Sequence, residues 1–405
     1  MNLPLPRSVA ALTASNLAAQ SAEQLSLAAT PIVAVLLLGA GPGEIGLLAT
    51  AQTLPFLLLS IPLGLLADRG SRKRLMFWAE LLRALSMLAL VACVLLGQVS
   101  IALLAVLGFV GAVGTVAYSV AAPALVPALV PREALARVNG RLELARSAAF
   151  AAGPALGGAL VSWAGASAAF VLAAILSMTA AVLLLQIIEP QRAPGLRRHP
   201  LVELRDGARL VWGHALLRPI LLTAVAWNIA WFVLHAAYVP YAMRALGMSA
   251  SGVGATLAAY GVGMVLGAFM APRVVARLPF GHAILVGPAM SVLAAATMLA
   301  TLLVPQAALA GLAFFLFGAG PIVWTITSTT LRQTVTPAAM LGCVSAIFLA
   351  VNTGVRPLGA ALGGFVGATW GEPACLALAL LGFVVQAAVI FASDVRVLKR
   401  LPQAA

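Results

Sequence analysis

The feature of this sequence that most limits its possible folds is the length of its apolar runs. Gly, Pro and charged residues divide the chain into twelve such runs, each long enough for a helix that crosses a bilayer, which needs about 20 residues. Only 9% of the 405 residues are charged, whereas 62% are hydrophobic. Because a soluble domain carries charge on about a quarter of its residues, this composition excludes a soluble enzyme and a disordered chain. The sequence predicts an all-α polytopic membrane protein with twelve transmembrane helices.

The distribution of basic residues predicts the orientation of the chain. Most Lys and Arg residues outside the spans fall in the two tails, in the loops after even-numbered spans and in a central linker. Arg244 is the exception, because it lies in a loop on the opposite side. Positive charge collects on the cytoplasmic side, so both termini are expected in the cytoplasm. The net charge of +13 then reflects topology, and a nucleic-acid partner is not expected.

The two halves of the chain repeat. Gly153-Pro-Ala-Leu-Gly-Gly158 corresponds to Gly359-Ala-Ala-Leu-Gly-Gly364, and Gly165 corresponds to Gly371 at the same offset. We therefore predict two pseudo-symmetric six-helix bundles, at residues 1–188 and 219–405, joined by a cytoplasmic linker at 189–218. Repeats of this kind are typical of transporters that bind substrate between their halves.

A short charged loop separates spans 2 and 3, and its glycine suggests a close helix approach. It resembles the signature loop of the major facilitator superfamily through Gly64, Asp68, Arg69, Arg72 and Lys73. One departure is that Ser71 stands where that family has its second glycine. The resemblance implies the twelve-helix major facilitator fold, with this loop as a cytoplasmic gate. The alternative is an ordinary basic loop that only sets topology.

A second resemblance lies in span 5. Gly140, Gly153, Pro154, Gly157 and Gly158 are similar to a pattern that marks proton-driven antiporters of the superfamily, with Ala149 in place of one glycine. Small residues four positions apart let helices approach closely, so the alternative is packing alone. Two segments, Pro62–Arg69 and Ala79–Ala84, further resemble the enterobactin-exporter and macrolide-efflux branch. Drug exporters of the superfamily often carry an arginine in span 4. Span 4 of this chain has none, so proton coupling through such an arginine is not expected.

Span 1 carries a polar stripe that ends at an acid near the membrane centre. Thr13, Asn16, Gln20 and Glu23 are spaced by three and four residues, which places them on one helical face. An ionisable residue at this depth usually faces a cavity or a partner. Glu23 is therefore a candidate proton carrier or a ligand for a cationic substrate. The alternative is a structural pair with Arg356 or with an arginine of span 5.

Two further sets of candidates lie in the second half. Arg356, next to Pro357, could pair with Glu23, sense its protonation or bind an anionic substrate. Span 7 has Asn228, Trp231, His235 and Tyr238 at helical spacing, and these could line a cavity. His235 is either a coupling residue or an ordinary hydrogen-bonding histidine.

Four other charged residues occur within spans 3 and 5. Glu80, Arg83, Glu143 and Arg146 are expected towards the cytoplasmic ends of these spans, as charge pairs that stabilise the gate.

Together, these features predict a secondary-active exporter of small amphipathic molecules, driven by inward proton flow. An importer or facilitator on the same fold is the alternative. An intramembrane enzyme is a remote one, because the four histidines are scattered and no His-Glu-x-x-His motif occurs. We expect no metal and no cofactor beyond the proton gradient. The lipid bilayer and a small-molecule substrate are the expected partners of a monomer in the bacterial inner membrane.

Overall fold

The computed structural model describes residues 7–130, 134–190, 200–337 and 340–402. These ranges are helical throughout apart from short connections, and no strand occurs in them. A short 3-10 helix at Asp394–Val397 follows thirteen α-helices. The helices are α1 (Arg7–Leu38), α2 (Pro42–Arg69), α3 (Arg72–Leu95), α4 (Ile101–Leu129), α5 (Leu135–Ala164), α6 (Ala166–Leu185), α7 (Pro200–Gly213), α8 (Leu217–Arg244), α9 (Ala250–Arg277), α10 (Phe280–Ala300), α11 (Ala307–Val335), α12 (Leu341–Gly354) and α13 (Arg356–Phe391).

The predicted number of membrane crossings is confirmed. Eleven stretches of the described chain are long and apolar enough to cross a membrane. The last of them, Cys343–Phe391, has 49 residues, about twice the length that one crossing needs. Gly371 inside it has φ 81°, a left-handed conformation that breaks the helix and separates two crossings. The fold is therefore an all-α polytopic membrane fold with twelve crossings.

The eleventh crossing consists of two helices. The sequence predicts one span over 340–368, but α12 ends at Gly354 and α13 begins at Arg356. Pro357 lies in the first turn of α13, where its missing N–H leaves no helical hydrogen bond unmade. The break therefore places Arg356 at the start of a helix rather than in the interior of one.

The central linker contains a helix that the sequence analysis did not identify. In α7, Gly207 and Val211 are buried, whereas Arg205, Arg209 and Trp212 are exposed. Residues four apart lie on the same helical face, so α7 is amphipathic. Its buried face packs against α12.

The chain forms two compact units. Unit 1 comprises Met1–Ala193 and Val239–Ala258, and unit 2 comprises Pro194–Tyr238 and Ala259–Ala405. The end of α8 and the start of α9 thus pack with the N-terminal helices. The division into bundles at 1–188 and 219–405 stays a prediction.

The repeated glycines have matching environments in the two units. In unit 1, a Cβ added at Gly153 would lie 2.4 Å from a side-chain carbon of α1. In unit 2, a Cβ added at its counterpart Gly359 would lie 2.7 Å from a backbone oxygen of α8. Gly165 and Gly371 both have positive φ, at 88° and 81°. These similarities support the internal repeat, because each glycine allows the same close approach or the same chain reversal in its own unit.

Candidate functional site

The loop between α2 and α3 is fastened to the segment after α6 by one carboxylate. Glu189 accepts hydrogen bonds from the Ser71 hydroxyl at 2.5 Å and from the backbone N–H groups of Arg72 at 3.0 Å and Lys73 at 3.2 Å. The first N–H groups of a helix have no partner within the helix, and an anion is favoured there. Glu189 therefore caps α3 from a position more than a hundred residues away in sequence.

Two basic residues of the predicted gate loop, Arg72 and Lys73, lie at the start of α3. The Lys73 ammonium donates to the carbonyl oxygens of Leu185 at 2.9 Å and Ile187 at 2.7 Å, and Arg72 is buried. Ser71 is the N-cap of α3 and accepts a hydrogen bond from the Arg74 N–H. A hydroxyl at this position caps the helix, so the departure from the family glycine has a structural role.

The other gate-loop residues have different outcomes. The close helix approach predicted at Gly64 is wrong, because a Cβ added there would meet no atom within 4 Å. Gly64 is half-buried, and a methyl group at this position would have room. The side chains of Asp68 and Arg69 lie outside the described residues, and their role as a gate stays a prediction.

The interior of unit 1 contains a buried ion pair. Glu80 and Arg83 on α3 are 0% and 3% exposed, and their side chains meet at 2.5 Å. The Arg83 guanidinium also donates to Ser177 of α6, Thr115 of α4 and the Ala19 carbonyl oxygen of α1. Arg83 is central in the 24-residue helix α3, so the prediction that placed it towards the cytoplasmic end is wrong.

The second predicted charge pair has the same spacing and a different environment. Arg146 and Glu143 on α5 also meet at 2.5 Å, but their side chains are 38% and 55% exposed. An exposed pair of this kind is worth little, because water and salt screen it.

The polar stripe of α1 contains both buried and half-buried residues. The Asn16 amide is buried and donates to the Leu142 carbonyl oxygen of α5 at 3.1 Å. Gln20 and Glu23, one and two turns further along α1, are half-buried. Glu23 is near the middle of this 32-residue helix. The half-buried part of the stripe therefore includes the one acidic residue of α1.

The glycine pattern of α5 brings three helices together. A Cβ added at Gly157 would lie 3.3 Å from the Leu25 carbonyl oxygen of α1. A Cβ at Gly158 would lie 2.4 Å from the Ala250 carbonyl oxygen of α9. Pro154 is inside α5, and its carbonyl oxygen lies 2.5 Å from a Cβ built at Gly254. These small residues permit helix contact at backbone distance.

Gly140 differs from the other members of that pattern. A Cβ added at Gly140 would meet no atom within 4 Å, so this glycine is not needed for packing. Whether the α5 pattern serves antiport or packing alone stays a prediction.

Arg244, the basic residue that departs from the charge distribution, lies at the end of α8 within unit 1. Its guanidinium donates to the carbonyl oxygens of Gly39 and Ala40, just after α1 ends, the latter at 2.8 Å. A cation is favoured at a helix C-terminus because the last carbonyl groups point towards it. The exception to the positive-inside distribution is thus a residue with a structural partner.

An aromatic cluster lies beside the predicted row of α8 in unit 2. The rings of Trp227 and Trp231 are stacked, with centroids 5.1 Å apart. His235 lies 4.4 Å and Tyr260 lies 5.1 Å from Trp231. These four rings are half-buried, whereas Tyr238 is fully buried against Phe314. The sequence named Trp231, His235 and Tyr238, but it missed Trp227 and Tyr260.

Two predicted site residues of unit 2 contact each other. Arg356 Nε donates to the Asn228 side-chain oxygen at 3.2 Å, and its guanidinium lies 5.9 Å from the centre of the Phe232 ring. The Asn228 amide nitrogen in turn donates to the Ala224 carbonyl oxygen. Asn228 thereby orients the arginine, and the arrangement offers a half-buried cation beside an aromatic surface. The pairing of Arg356 with Glu23 stays a prediction.

The described residues contain no group of three or more His, Cys, Asp or Glu side chains that could hold a metal ion. The half-buried polar and aromatic side chains named above are of the kind that line small-molecule sites.

Comparisons with known proteins agree with this architecture. The Major Facilitator Superfamily model matches residues 12–360. The enterobactin exporter EntS of Citrobacter koseri is 29% identical over 328 residues, which are 80% of this chain and 76% of the relative. EntS of Shigella boydii is 30% identical over 315 residues, 75% of this chain and 72% of the relative.

Solved structures show the same fold. A bacterial homologue of the iron transporter ferroportin, in an inward-facing state, has a TM-score of 0.76 at 17% identity and covers 96% of this chain and 99% of its own. A bacterial homologue of the lysosomal transporter Spinster has a TM-score of 0.73 at 18% identity, with 98% of each chain covered. The chain belongs to the Major Facilitator Superfamily, so it is a multi-pass membrane transporter and not an enzyme.

Proposed function

We propose that this transporter is a proton-coupled exporter of small amphipathic molecules that works by alternating access. It would act as a monomer in the bacterial cytoplasmic membrane, with both termini in the cytoplasm. The observation that carries the proposal is a half-buried carboxyl group, Glu23, in the middle of α1 on a polar stripe. The exporter relatives, about 30% identical over three quarters of the chain, support the direction.

The proton step is assigned to Glu23. A carboxyl group at membrane depth is costly unless it has a functional or structural partner. Asn16 is buried and donates to the backbone of α5, whereas Gln20 and Glu23 are half-buried. In an alternating-access cycle, Glu23 would take up a proton from the outside and release it to the cytoplasm. Substrate would leave in exchange.

Substrate recognition is assigned to half-buried aromatic and charged side chains of unit 2. The stacked rings of Trp227 and Trp231 offer an apolar surface, and Arg356, oriented by Asn228, offers a cation. An apolar surface with few polar groups is the usual lining of a site for small molecules. This combination suits an amphipathic solute. His235 remains a second candidate for proton coupling.

The gate is assigned to the loop between α2 and α3. Glu189 and Lys73 fasten this loop to the segment after α6. The predicted gate residues Asp68 and Arg69 immediately precede it in sequence. We expect the fastened N-terminus of α3 to hold these two residues in place for state-dependent contacts.

The test is transport in proteoliposomes with an imposed pH gradient. A panel of cationic, anionic and neutral amphipathic compounds is offered to the wild-type protein, to Glu23→Gln and to Glu44→Gln. Glu44 is an exposed acid at the start of α2 and serves as the control. We expect gradient-driven movement of at least one compound class, lost in Glu23→Gln and kept in Glu44→Gln.

Other outcomes would favour a different function. If no compound responds to the gradient, proton-coupled export fails. If Glu23→Gln keeps the pH dependence of the wild type, the importer or facilitator alternative is preferred, since neither requires a titratable cavity residue. Liposomes loaded on one side report the direction of net movement.

A further inference from the structure

Arg83 joins four helices of unit 1 through one guanidinium group. Its Nε donates to the Ser177 hydroxyl at 3.0 Å and Nη1 to the Thr115 hydroxyl at 3.3 Å. Its Nη2 contacts both oxygens of Glu80 and, at 3.0 Å, the carbonyl oxygen of Ala19. All three nitrogens are therefore used, and the partners lie on α1, α3, α4 and α6.

A close helix crossing makes these contacts possible. A Cβ added at Gly114 of α4 would lie 2.4 Å from the Ala79 carbonyl oxygen of α3 and 3.5 Å from the Arg83 Cβ. Because Gly114 has no side chain, α4 comes near enough for the next residue, Thr115, to reach the guanidinium. A second polar contact continues the network, since Ser15 of α1 bonds with the Tyr118 hydroxyl of α4 at 3.2 Å.

The cost of burying these charges indicates that the network has a purpose beyond packing. Two charges removed from water regain their solvation only when their geometry and their remaining hydrogen bonds are good. Within the membrane, such residues commonly mark functional paths. A cluster of apolar residues of the same volume would join the four helices at lower cost.

The contact with α1 connects Arg83 to the predicted proton carrier. In an α-helix, the carbonyl oxygen of residue 19 accepts the backbone N–H of residue 23, so Ala19 and Glu23 are adjacent ends of one turn. We propose that Arg83 is a positioning residue for proton coupling, which holds the turn of α1 that carries Gln20 and Glu23. This inference rests on the proposed function of Glu23.

Other titratable or charged groups on helices packed near this turn define what the experiment must control. They are Glu80 on α3, Tyr118 on α4, and Arg141, Glu143 and Arg146 on α5. Helix α6 carries no charged residue between Ala166 and Leu185.

The experiment compares Arg83→Lys with Arg209→Lys. Lysine keeps the positive charge beside the glutamate, but its single ammonium cannot reach four helices as a planar guanidinium does. Arg209 is an exposed arginine of α7, a helix to which no transport role is assigned, so the same substitution there is the control. The readouts are the thermal unfolding temperature in detergent and the midpoint of the transport-versus-pH curve.

We expect Arg83→Lys to fold and to move the pH midpoint by about half a unit or more, where half a unit corresponds to about 0.7 kcal/mol. Arg209→Lys should leave the midpoint unchanged. If Arg83→Lys folds and has the wild-type pH profile, Arg83 is only structural and the inference is overturned.

A second readout requires no transport. Gln20→Cys is introduced into a chain whose three cysteines, Cys93, Cys343 and Cys375, are replaced by serine. The introduced thiol is then treated with a methanethiosulfonate reagent. We expect Arg83→Lys to change the reaction rate by about threefold or more, which is within the range expected for the loss of one hydrogen bond. Arg209→Lys should not change it.

The two proposals can therefore fail separately. If no compound is transported but the rate of thiol modification in the Gln20→Cys chain changes with Arg83→Lys alone, the proposed function fails and Arg83 still positions α1. If transport responds to pH and neither readout changes in Arg83→Lys, the positioning role fails and the proposed function stands. Should Arg83→Lys not fold, the double variant Glu80→Gln with Arg83→Gln, which leaves no unpaired charge, takes its place with the same expected results.

Discussion

Gly158 on α5 and Gly254 on α9 face each other at backbone distance. A Cβ added at Gly158 would lie 2.8 Å from the Gly254 Cα, and one added at Gly254 would lie 2.9 Å from the Gly158 Cα. Neither helix can gain a methyl group here without moving. The crossing joins the antiporter-type glycine pattern of α5 to the start of α9, within unit 1.

We expect Gly158→Ala and Gly254→Ala each to destabilise the protein by about 1–3 kcal/mol, because an added methyl group forces closely packed helices apart. The double variant should cost less than the sum, since the first methyl group already separates the helices. Thermal unfolding in detergent measures both effects. Gly140→Ala, where a Cβ meets no atom within 4 Å, is the control and should be neutral or slightly stabilising. Additive losses would contradict the direct contact.

Removing the cap of α3 should loosen the gate loop. Glu189→Gln keeps the size of the side chain but loses the charge that three donors share, so we expect a loss of about 1–2 kcal/mol. Hydrogen exchange at the start of α3 should become faster, whereas exchange in α10 should not. Glu143→Gln is the matched control. Unchanged protection of Arg72 and Lys73 would show that the carboxylate is not needed.

The packing of α7 on α12 predicts a specific disulfide. A Cβ built at Gly207 lies 3.4 Å from the Cβ of Cys343, close to the roughly 3.5–4.5 Å found in disulfides. Gly207→Cys should therefore form a bond with the native Cys343 under mild oxidation. Counting free thiols by mass spectrometry after alkylation measures this.

The control for that bond is Gly213→Cys, at the end of the same helix, where a Cβ meets no atom within 4 Å. This variant should keep all its thiols under the same conditions. Equal oxidation of the two variants would contradict the predicted position of α7.

Loss of the Arg244 guanidinium should free the end of α1. We expect Arg244→Gln to lose about 1–3 kcal/mol, the range for hydrogen bonds made by a charged donor. In an Ala40→Cys background, the introduced thiol should then react faster with a membrane-impermeant maleimide. Arg218→Gln, an exposed arginine at the start of α8, should leave that rate unchanged. A maleimide reaction rate that does not respond to Arg244→Gln would contradict the contact.

Properties that depend on neighbouring residues could be predicted from the sequence. The number of crossings follows from the length of the apolar runs, because every crossing must satisfy its backbone hydrogen bonds within one helix. The offset between glycines identified the internal repeat, and the structure gives Gly165 and Gly371 the same positive φ. The spacing in α1 predicted that its polar residues share one face, since a helix repeats every 3.6 residues.

Contacts between distant helices could not be predicted in this way. Glu189 caps a helix 117 residues earlier in the chain, and Arg83 reaches a serine 94 residues later. Many serines and glutamates share the same local pattern, so no periodicity distinguishes these two. The contact of Arg356 with Asn228 was also not predicted, because Asn228 was identified only as a residue of the α8 row.

The amino-acid sequence by itself determined the membrane class, the twelve crossings and the family, because these depend on composition, helical period and short motifs. Only the tertiary structure decided which polar residues are buried and which hydrogen bonds they make, because a buried hydrogen bond depends on where a second helix passes. Gly114 illustrates the difference. Its position in the sequence does not predict a contact with Arg83, yet its missing side chain lets α4 come near enough for Thr115 to accept a hydrogen bond from the guanidinium.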